Sequence, residues 1–206
     1  MLTGLYVITP DDFVPETLDV FDQSPGWCAL QYRDKGATPE QARVRARALL
    51  KFTRKWGMPL IINDHIWLCL ELGAEGLHVG EHDGDIGSVR KQLGKNIIVG
   101  SSCYNAQSRA LAAMEAEVSY ISFGAFFPTP TKPHAPRATH DLLSWAKDIS
   151  GNCSVFAIGG IEPQHTRKLL GAGADGICVV RGILGASDYV ASSEAYLKEL
   201  VEYTSK

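Results

Sequence analysis

The sequence has no Lys or Arg before Arg33, although Asp11, Asp12, Glu16, Asp19 and Asp22 all fall in that stretch. A secretory signal or mitochondrial presequence needs early positive charge, so neither is expected and a cytoplasmic setting is. No uninterrupted apolar run approaches the roughly 20 residues that span a bilayer, so no membrane partner is expected. A basic excess is also missing. The 20 Lys and Arg stand against 23 Asp and Glu, a net charge of -3, which speaks against a nucleic-acid partner. The 5 cysteines are odd in number, widely spaced and never form a CxxC pair. A disulfide framework or zinc ribbon is therefore not expected, and the thiols read as small buried hydrophobes. No linker, low-complexity tract or block of like charge divides the 206 residues, a length that suits one domain over 1–206.

What the sequence has is alternation. Short apolar, β-branched runs recur at 5–9, 28–33, 60–64, 76–80, 97–103, 118–126, 154–160 and 176–182, each bounded by Gly, Pro, Asn or Asp. Helix-compatible stretches lie between them. Thr38-Pro39-Glu40-Gln41 opens one with an N-cap, a Pro at the first position and a Gln three residues after the cap. That helix is expected to run to about Trp56, where Gly57 closes it and Pro59 follows. Others are predicted over 106–115, 139–149, 163–170 and 187–203. Several strands are continuous apolar runs, the pattern of strands covered on both faces. The expected fold is a compact α/β (β/α)8 TIM barrel with eight parallel strands, with a doubly wound open sheet as the alternative.

In such a barrel the chemistry sits at the C-terminal ends of the strands. The second strand ends Gln31-Tyr32-Arg33-Asp34-Lys35, and a period of two sends Gln31, Arg33 and Lys35 to one face. Two cations and an amide at the barrel mouth suit an oligophosphate. The third strand ends Asn63-Asp64 and the fourth runs to Asp83, so two carboxylates from neighbouring strands can share a magnesium ion. A zinc site through His78 and His82 is disfavoured because an i, i+4 pair shares a face only on a helix; Asp83 also has a reading as a helix cap. After the sixth strand, Thr129, Thr131 and Lys132 sit in a proline-stiffened, acid-free stretch that suits an anion-binding loop. Glycines after the seventh and eighth strands, Gly159-Gly160 and Gly182, let backbone N–H groups approach a phosphate.

The ordered set LQYRDK, IINDH, GLHVGEHD, VGSSCY, FGAFFPTPTK, AIGGI and GADGICVV resembles thiamine-phosphate synthases from residue 5 to 183. That resemblance implies a transferase of thiamine biosynthesis. It couples hydroxymethylpyrimidine diphosphate with hydroxyethylthiazole phosphate, giving thiamine phosphate and diphosphate with Mg2+ as cofactor. By the same resemblance Gln31, Tyr32, Arg33, Asp34 and Lys35 bind the pyrimidine diphosphate, with Asn63 on the same substrate. Asp64 and Asp83 are the implied magnesium ligands, and Ser102 lies near the pyrimidine. Thr129, Pro130 and Thr131 meet the thiazole phosphate and Lys132 reaches the diphosphate, so Arg33, Lys35 and Lys132 become the catalytic cations. Gly160, Val180 and Arg181 complete the thiazole-phosphate cradle. Small-molecule substrates are the implied partners, and a homo-oligomer is left open.

Two departures mark this chain. Arg181-Gly182 stands where the family usually has a Ser-Ala or Ser-Gly pair, and Tyr104 where many relatives have His. The His is tied to thiazole tautomerase-like relatives, so Tyr104 weighs against that alternative; another phosphate-barrel isomerase or epimerase would need no magnesium pair. The net charge hides a local asymmetry, because the bases fall at the predicted mouth while the acids of the first 22 residues lie elsewhere in sequence.

Overall fold

A computed structural model describes residues 1–81, 84–129 and 136–205. Among them the chain forms eight strands: β1 (Gly4–Ile8), β2 (Ala29–Tyr32), β3 (Leu60–Asn63), β4 (Gly76–Val79), β5 (Ile98–Tyr104), β6 (Tyr120–Phe123), β7 (Ser154–Ile158) and β8 (Gly176–Val179). Each pairs in parallel with its sequence neighbours, and β8 pairs with β1 to close the barrel. The helices are α1 (Pro39–Lys55), α2 (Ile66–Leu72), α3 (Ile86–Leu93), α4 (Gln107–Glu115), α5 (His140–Ile149), α6 (Thr166–Gly171), α7 (Arg181–Leu184) and α8 (Tyr189–Thr204). The alternation read from the sequence is thus a closed (β/α)8 barrel. No helix among the described residues is long and apolar enough to cross a membrane.

Local sequence explains the element ends. The Thr38 Oγ1 accepts from the Gln41 N–H at 3.3 Å and the Gln41 Oε1 accepts from the Thr38 N–H at 2.8 Å, so α1 starts with the reciprocal cap expected of it. The Asp85 carboxylate caps α3 by accepting from the Ser88 N–H at 2.8 Å; Asp83, the other candidate cap, lies outside the described residues. The strand expected over 176–182 is shorter than its apolar run. It stops at Val179, and Arg181 opens the short helix α7. Packing explains the early stop. Tyr196 of α8 donates its hydroxyl to the Ile161 carbonyl at 2.8 Å, and a Cβ at Gly182 would overlap that hydroxyl. The chain must therefore turn out of the sheet and pass under Tyr196.

Two apolar layers follow from the period-two alternation. Leu5, Val7, Leu30, Tyr32 and Ile62 face outward into the main core between sheet and helices. Tyr6, Ile8, Ala29, Ile61, Tyr120, Phe156 and Cys178 face inward and fill the barrel. The rings of Tyr6, Tyr120 and Phe156 meet edge to face at centroid distances of 5.4, 5.6 and 5.7 Å. Such pairs add about 0.5–1.5 kcal/mol each beyond the area they bury. Room for them comes from glycine on neighbouring strands. A Cβ at Gly100 would lie inside the Tyr120 ring, so only glycine at that inward position of β5 lets this phenol enter the barrel axis.

Candidate active site

The C-terminal ends of the strands open into a cavity of about 440 Å³, within the usual range for small-molecule sites. Its rim on the β2 and β3 side carries Gln31, Arg33, Lys35, Asn63 and Asp64, and its far side carries Thr129, Gly160, Val180 and Arg181. Ser102 lines the wall between them. The structure thus brings together ten of the positions singled out above. Asp83, Pro130, Thr131 and Lys132 lie outside the described residues.

Alternation separates the β2 tail as it should. Gln31, Arg33 and Lys35 reach the cavity, whereas Tyr32 and Asp34 do not. Tyr32 is buried in the core between sheet and helices, and its phenol is pushed up to about 12 by burial, with the Asp34 charge adding to the rise. Asp34 is buried too and forms a close ion pair with Arg45 of α1, while its other oxygen accepts from the Gly36 N–H at 3.3 Å. These two side chains fasten the β2 tail to the helix layer.

The rest of the tail is fixed by the first loop. The Thr9 hydroxyl donates to the Arg33 carbonyl and accepts from the Arg33 N–H, both at 2.9 Å. One Asp11 oxygen accepts from the Arg33 guanidinium and from the Lys35 N–H, again both at 2.9 Å. Burial alone would raise the Asp11 carboxyl. The Lys35 amide and the Arg33 guanidinium outweigh it and hold the group below its ordinary value. The Lys35 ammonium reaches Asp64 at 3.5 Å. Asp64 adopts φ 63° at the end of β3, a left-handed conformation that Asp tolerates, and its N–H donates to the His78 carbonyl at 2.9 Å. The left-handed turn puts the carboxylate on the rim.

The rim suits a hard cation. Among the described residues no three His, Cys, Asp or Glu side chains gather. Magnesium does not ask for that, since it takes one or two carboxylates and fills the rest with water and substrate phosphate. Asp64 supplies such a carboxylate, and Glu81 lines the same cavity.

On the opposite side the chain is crowded. Phe126 and Phe127 donate their N–H groups to the Ile158 and Gly159 carbonyls at 3.1 and 2.9 Å. This lays the segment after β6 on the β7 turn. Gly160, at φ 64°, faces the Pro128 carbonyl so closely that a Cβ would overlap it. The glycine there is demanded by the passing loop as well as by any phosphate. Arg181 is the first residue of α7, whose opening N–H groups have no intrahelical acceptor.

Some cavity residues, Tyr6 and Tyr120 among them, were not singled out in the sequence. Below the rim, the floor holds Tyr6, Tyr120 and His78. Tyr6 Oη lies 2.7 Å from Tyr120 Oη, Tyr120 Oη lies 2.9 Å from His78 Nδ1, and His78 Nε2 lies 2.8 Å from Ser102 Oγ. Gln31 Nε2 donates to Tyr6 Oη at 2.8 Å. Tyr6 and Tyr120 were not singled out in the sequence and His78 entered only in a disfavoured zinc reading; the closed barrel brings them to one network. Tyr104 also lines the cavity, at φ 55° beyond a bulge in β5 that re-aims its side chain. The Arg109 guanidinium lies 5.5 Å from that ring and 3.5 Å from Glu81. Cys103, beside the site in sequence, points away from it. Burial pushes its thiol up to about 12, so it is no nucleophile.

The family model described as thiamine monophosphate synthase matches residues 5–183. A thiamine-phosphate synthase of Xanthomonas campestris pv. campestris is 43% identical over 195 residues, covering 94% of this chain and 93% of that protein. One of Methylobacillus flagellatus is 39% identical over 198 residues, covering 95% and 94%. The solved structure of a thiamine phosphate pyrophosphorylase from Pyrococcus furiosus superposes with a TM-score of 0.83 at 28% identity, covering 98% of this chain and 96% of the other. A barrel with these residues at its mouth, matched by that model along most of its length, belongs to the thiamine monophosphate synthase family.

Proposed function

We propose that this barrel joins hydroxymethylpyrimidine diphosphate to hydroxyethylthiazole phosphate, releasing diphosphate and forming thiamine phosphate. The observation that carries the reading is one cavity with two unlike anion-binding ends. Arg33, Lys35 and Asp64 stand at one end, and Gly160, Val180 and Arg181 at the other. A barrel isomerase or epimerase acting on one phosphate has no use for the first set.

The reaction breaks the bond between the pyrimidine methylene and the diphosphate oxygen, and the electron pair leaves with diphosphate. The thiazole nitrogen lone pair then forms the new C–N bond. The residues of this chain need not act as nucleophiles. Arg33 and Lys35 neutralise charge as it grows on the leaving group, and we assign Lys132 the same task from the family pattern. By the family pattern Asp64 and Asp83 would hold magnesium, which would supply further charge neutralisation on the diphosphate. Tyr6, Tyr120 and Phe156, all fully buried, would form an aromatic floor beneath the reacting carbon. A cytoplasmic setting is supported by five free thiols.

The test is direct. The purified protein is mixed with both phosphorylated precursors and magnesium chloride, and thiamine phosphate and diphosphate are quantified. Equal amounts of the two products are expected. Folded protein that yields neither overturns the reading.

A further inference from the structure

The thiazole-phosphate end of the cavity is lined by three separate segments, 128–129 after β6, 159–162 after β7 and 180–182 after β8. Two side chains from outside those segments tie them together. Tyr196, on α8, is 2% exposed and lines the same cavity. Its hydroxyl donates to the Ile161 carbonyl at 2.8 Å. The N–H of the same peptide, on Glu162, donates to His165 Nδ1 at 3.1 Å. One peptide is thus gripped at both of its polar groups, directly after Gly159 and Gly160, whose φ angles of 101° and 64° only glycine adopts freely. Each side chain then reaches a second segment. The His165 ring stacks on Phe127 at 3.8 Å between centroids and 11° between planes, next to Pro128 and Thr129. The Tyr196 hydroxyl fills the space that a Cβ at Gly182 would take. α8 is itself anchored one turn earlier, where Trp27 Nε1 donates to Ser193 Oγ at 3.1 Å, and by the ion pairs of Arg167 with Glu199 and Glu202.

We infer that Tyr196 and His165 are positioning residues that set the spacing of the thiazole-phosphate end. Neither belongs to a motif of the family pattern, and the inference rests on the function proposed above. A turn with two glycines at positive φ has many conformations open to it, and a ligand that must order the turn first loses affinity. Holding the Ile161–Glu162 peptide removes that cost before the substrate arrives. No bond to the phosphate of the thiazole substrate forms or breaks in the reaction, so its contacts are alike in the bound substrate and at the transition state. Contacts of that kind lower KM and leave kcat alone. Burial pushes the Tyr196 phenol up to about 12, with the Glu162 charge adding to the rise, so this donor keeps its proton at any assay pH near neutrality.

The experiment is steady-state turnover of the intact chain with magnesium chloride, each precursor varied in turn. Tyr196→Phe keeps the ring and removes the donor. His165→Phe keeps a ring to stack on Phe127 and removes the acceptor. Each should raise KM for the thiazole phosphate about five- to tenfold, the worth of roughly one neutral hydrogen bond. KM for the pyrimidine diphosphate and kcat should stay within about twofold, since Arg33, Lys35 and Asp64 stand at the other end. A residue that only supports the fold moves all three constants together or none. Because Tyr196→Phe leaves the Ile161 carbonyl without its donor and lowers stability as well, Gly182→Ala supplies a second arm with Tyr196 intact. Its Cβ meets the Tyr196 hydroxyl and should raise the same KM. In the Tyr196→Phe background that hydroxyl is gone, so the further loss from Gly182→Ala should be smaller than in the wild type. The inference is overturned if the thiazole phosphate KM is unchanged in either phenylalanine variant, if the constants for both substrates rise in parallel, or if the losses of Gly182→Ala and Tyr196→Phe multiply. Wild-type protein that forms no thiamine phosphate refutes the proposed function instead.

Discussion

Replacing Asp34 with alanine separates the two roles that the Gln31–Lys35 tail serves. The family pattern places Asp34 with the substrate-binding residues, yet its carboxylate is 1% exposed and paired with Arg45, which is 22% exposed. Removing one partner of a fully buried pair costs about 3–5 kcal/mol, because the other charge is stranded. Here Arg45 keeps a second acceptor, Asp12 at 3.5 Å, and some water, which lowers the expected loss to about 2–3 kcal/mol. A chain of this length shifts its melting temperature by about 2–4 °C per kcal/mol, so Tm should fall by about 4–12 °C. Activity measured well below that Tm should change little, because Lys35 remains held by Asp11 through its N–H. The assay pairs a thermal melt with turnover at saturating substrates and 20–25 °C or thereabouts, roughly the reference range for such energies. A hundredfold loss of turnover with an unchanged Tm would refute the assignment of Asp34 to the scaffold.

Asp64→Ala and Lys132→Ala should each lower the single-turnover rate at saturating substrates by about 10²–10³-fold, the range for removing one charge-stabilising group. Near-full rates in either variant would remove that residue from the chemistry. Gly160→Ala forces a Cβ against the Pro128 carbonyl at a positive φ, and should cost about 1–3 kcal/mol in a urea melt. It should also weaken the thiazole phosphate more than the pyrimidine diphosphate. The phenols of Tyr6 and Tyr120 are held well above their ordinary value of 10.0, chiefly by burial. Raised folded-state values mean that their share of stability is intact below pH 10 and is lost as the pH rises further. Stability should therefore decline above that point by up to about 1.4 kcal/mol per group per pH unit. Tyr6→Phe/Tyr120→Phe should flatten that decline, and an unchanged slope in stability against pH would count against the burial argument.

How far the sequence carried the reading differs from element to element. Strand existence was legible because a strand covered on both faces must be continuously apolar, and all eight runs became strands. Strand ends were less so. The run at 176–182 stays apolar beyond Val179, and nothing in it announces that Tyr196, far along the chain, will sit against Gly182. The β2 tail shows the same limit within five residues. Period two separated Gln31, Arg33 and Lys35 from Tyr32 and Asp34, but the family pattern treated all five alike. The floor was the least legible part. Tyr6 and Tyr120 are 114 residues apart and belong to no motif, and each looks like an ordinary aromatic in a strand. Barrel closure makes them neighbours.

The opening acidity takes on a different meaning once the chain is folded. The acids of the first 22 residues do not all lie away from the bases of the mouth. Asp11 grips Arg33, and Asp12 faces Arg45. Lys35 likewise rests on Asp64. A mouth built only of cations would repel itself before any phosphate arrived, and its long side chains would sample many rotamers. The acids hold Arg33 and Lys35 at the mouth at little energetic depth, since such part-exposed pairs contribute only about 0–1 kcal/mol. A diphosphate with a magnesium ion offers both sides a stronger partner. Under the proposed function Arg33 and Lys35 would gain phosphate oxygens, and Asp64 would gain a divalent cation in place of an ammonium. The weakness of these pairs is therefore suited to exchange. A net charge near zero is consistent with such a site, because Arg33 and Lys35 have each been given a provisional anion.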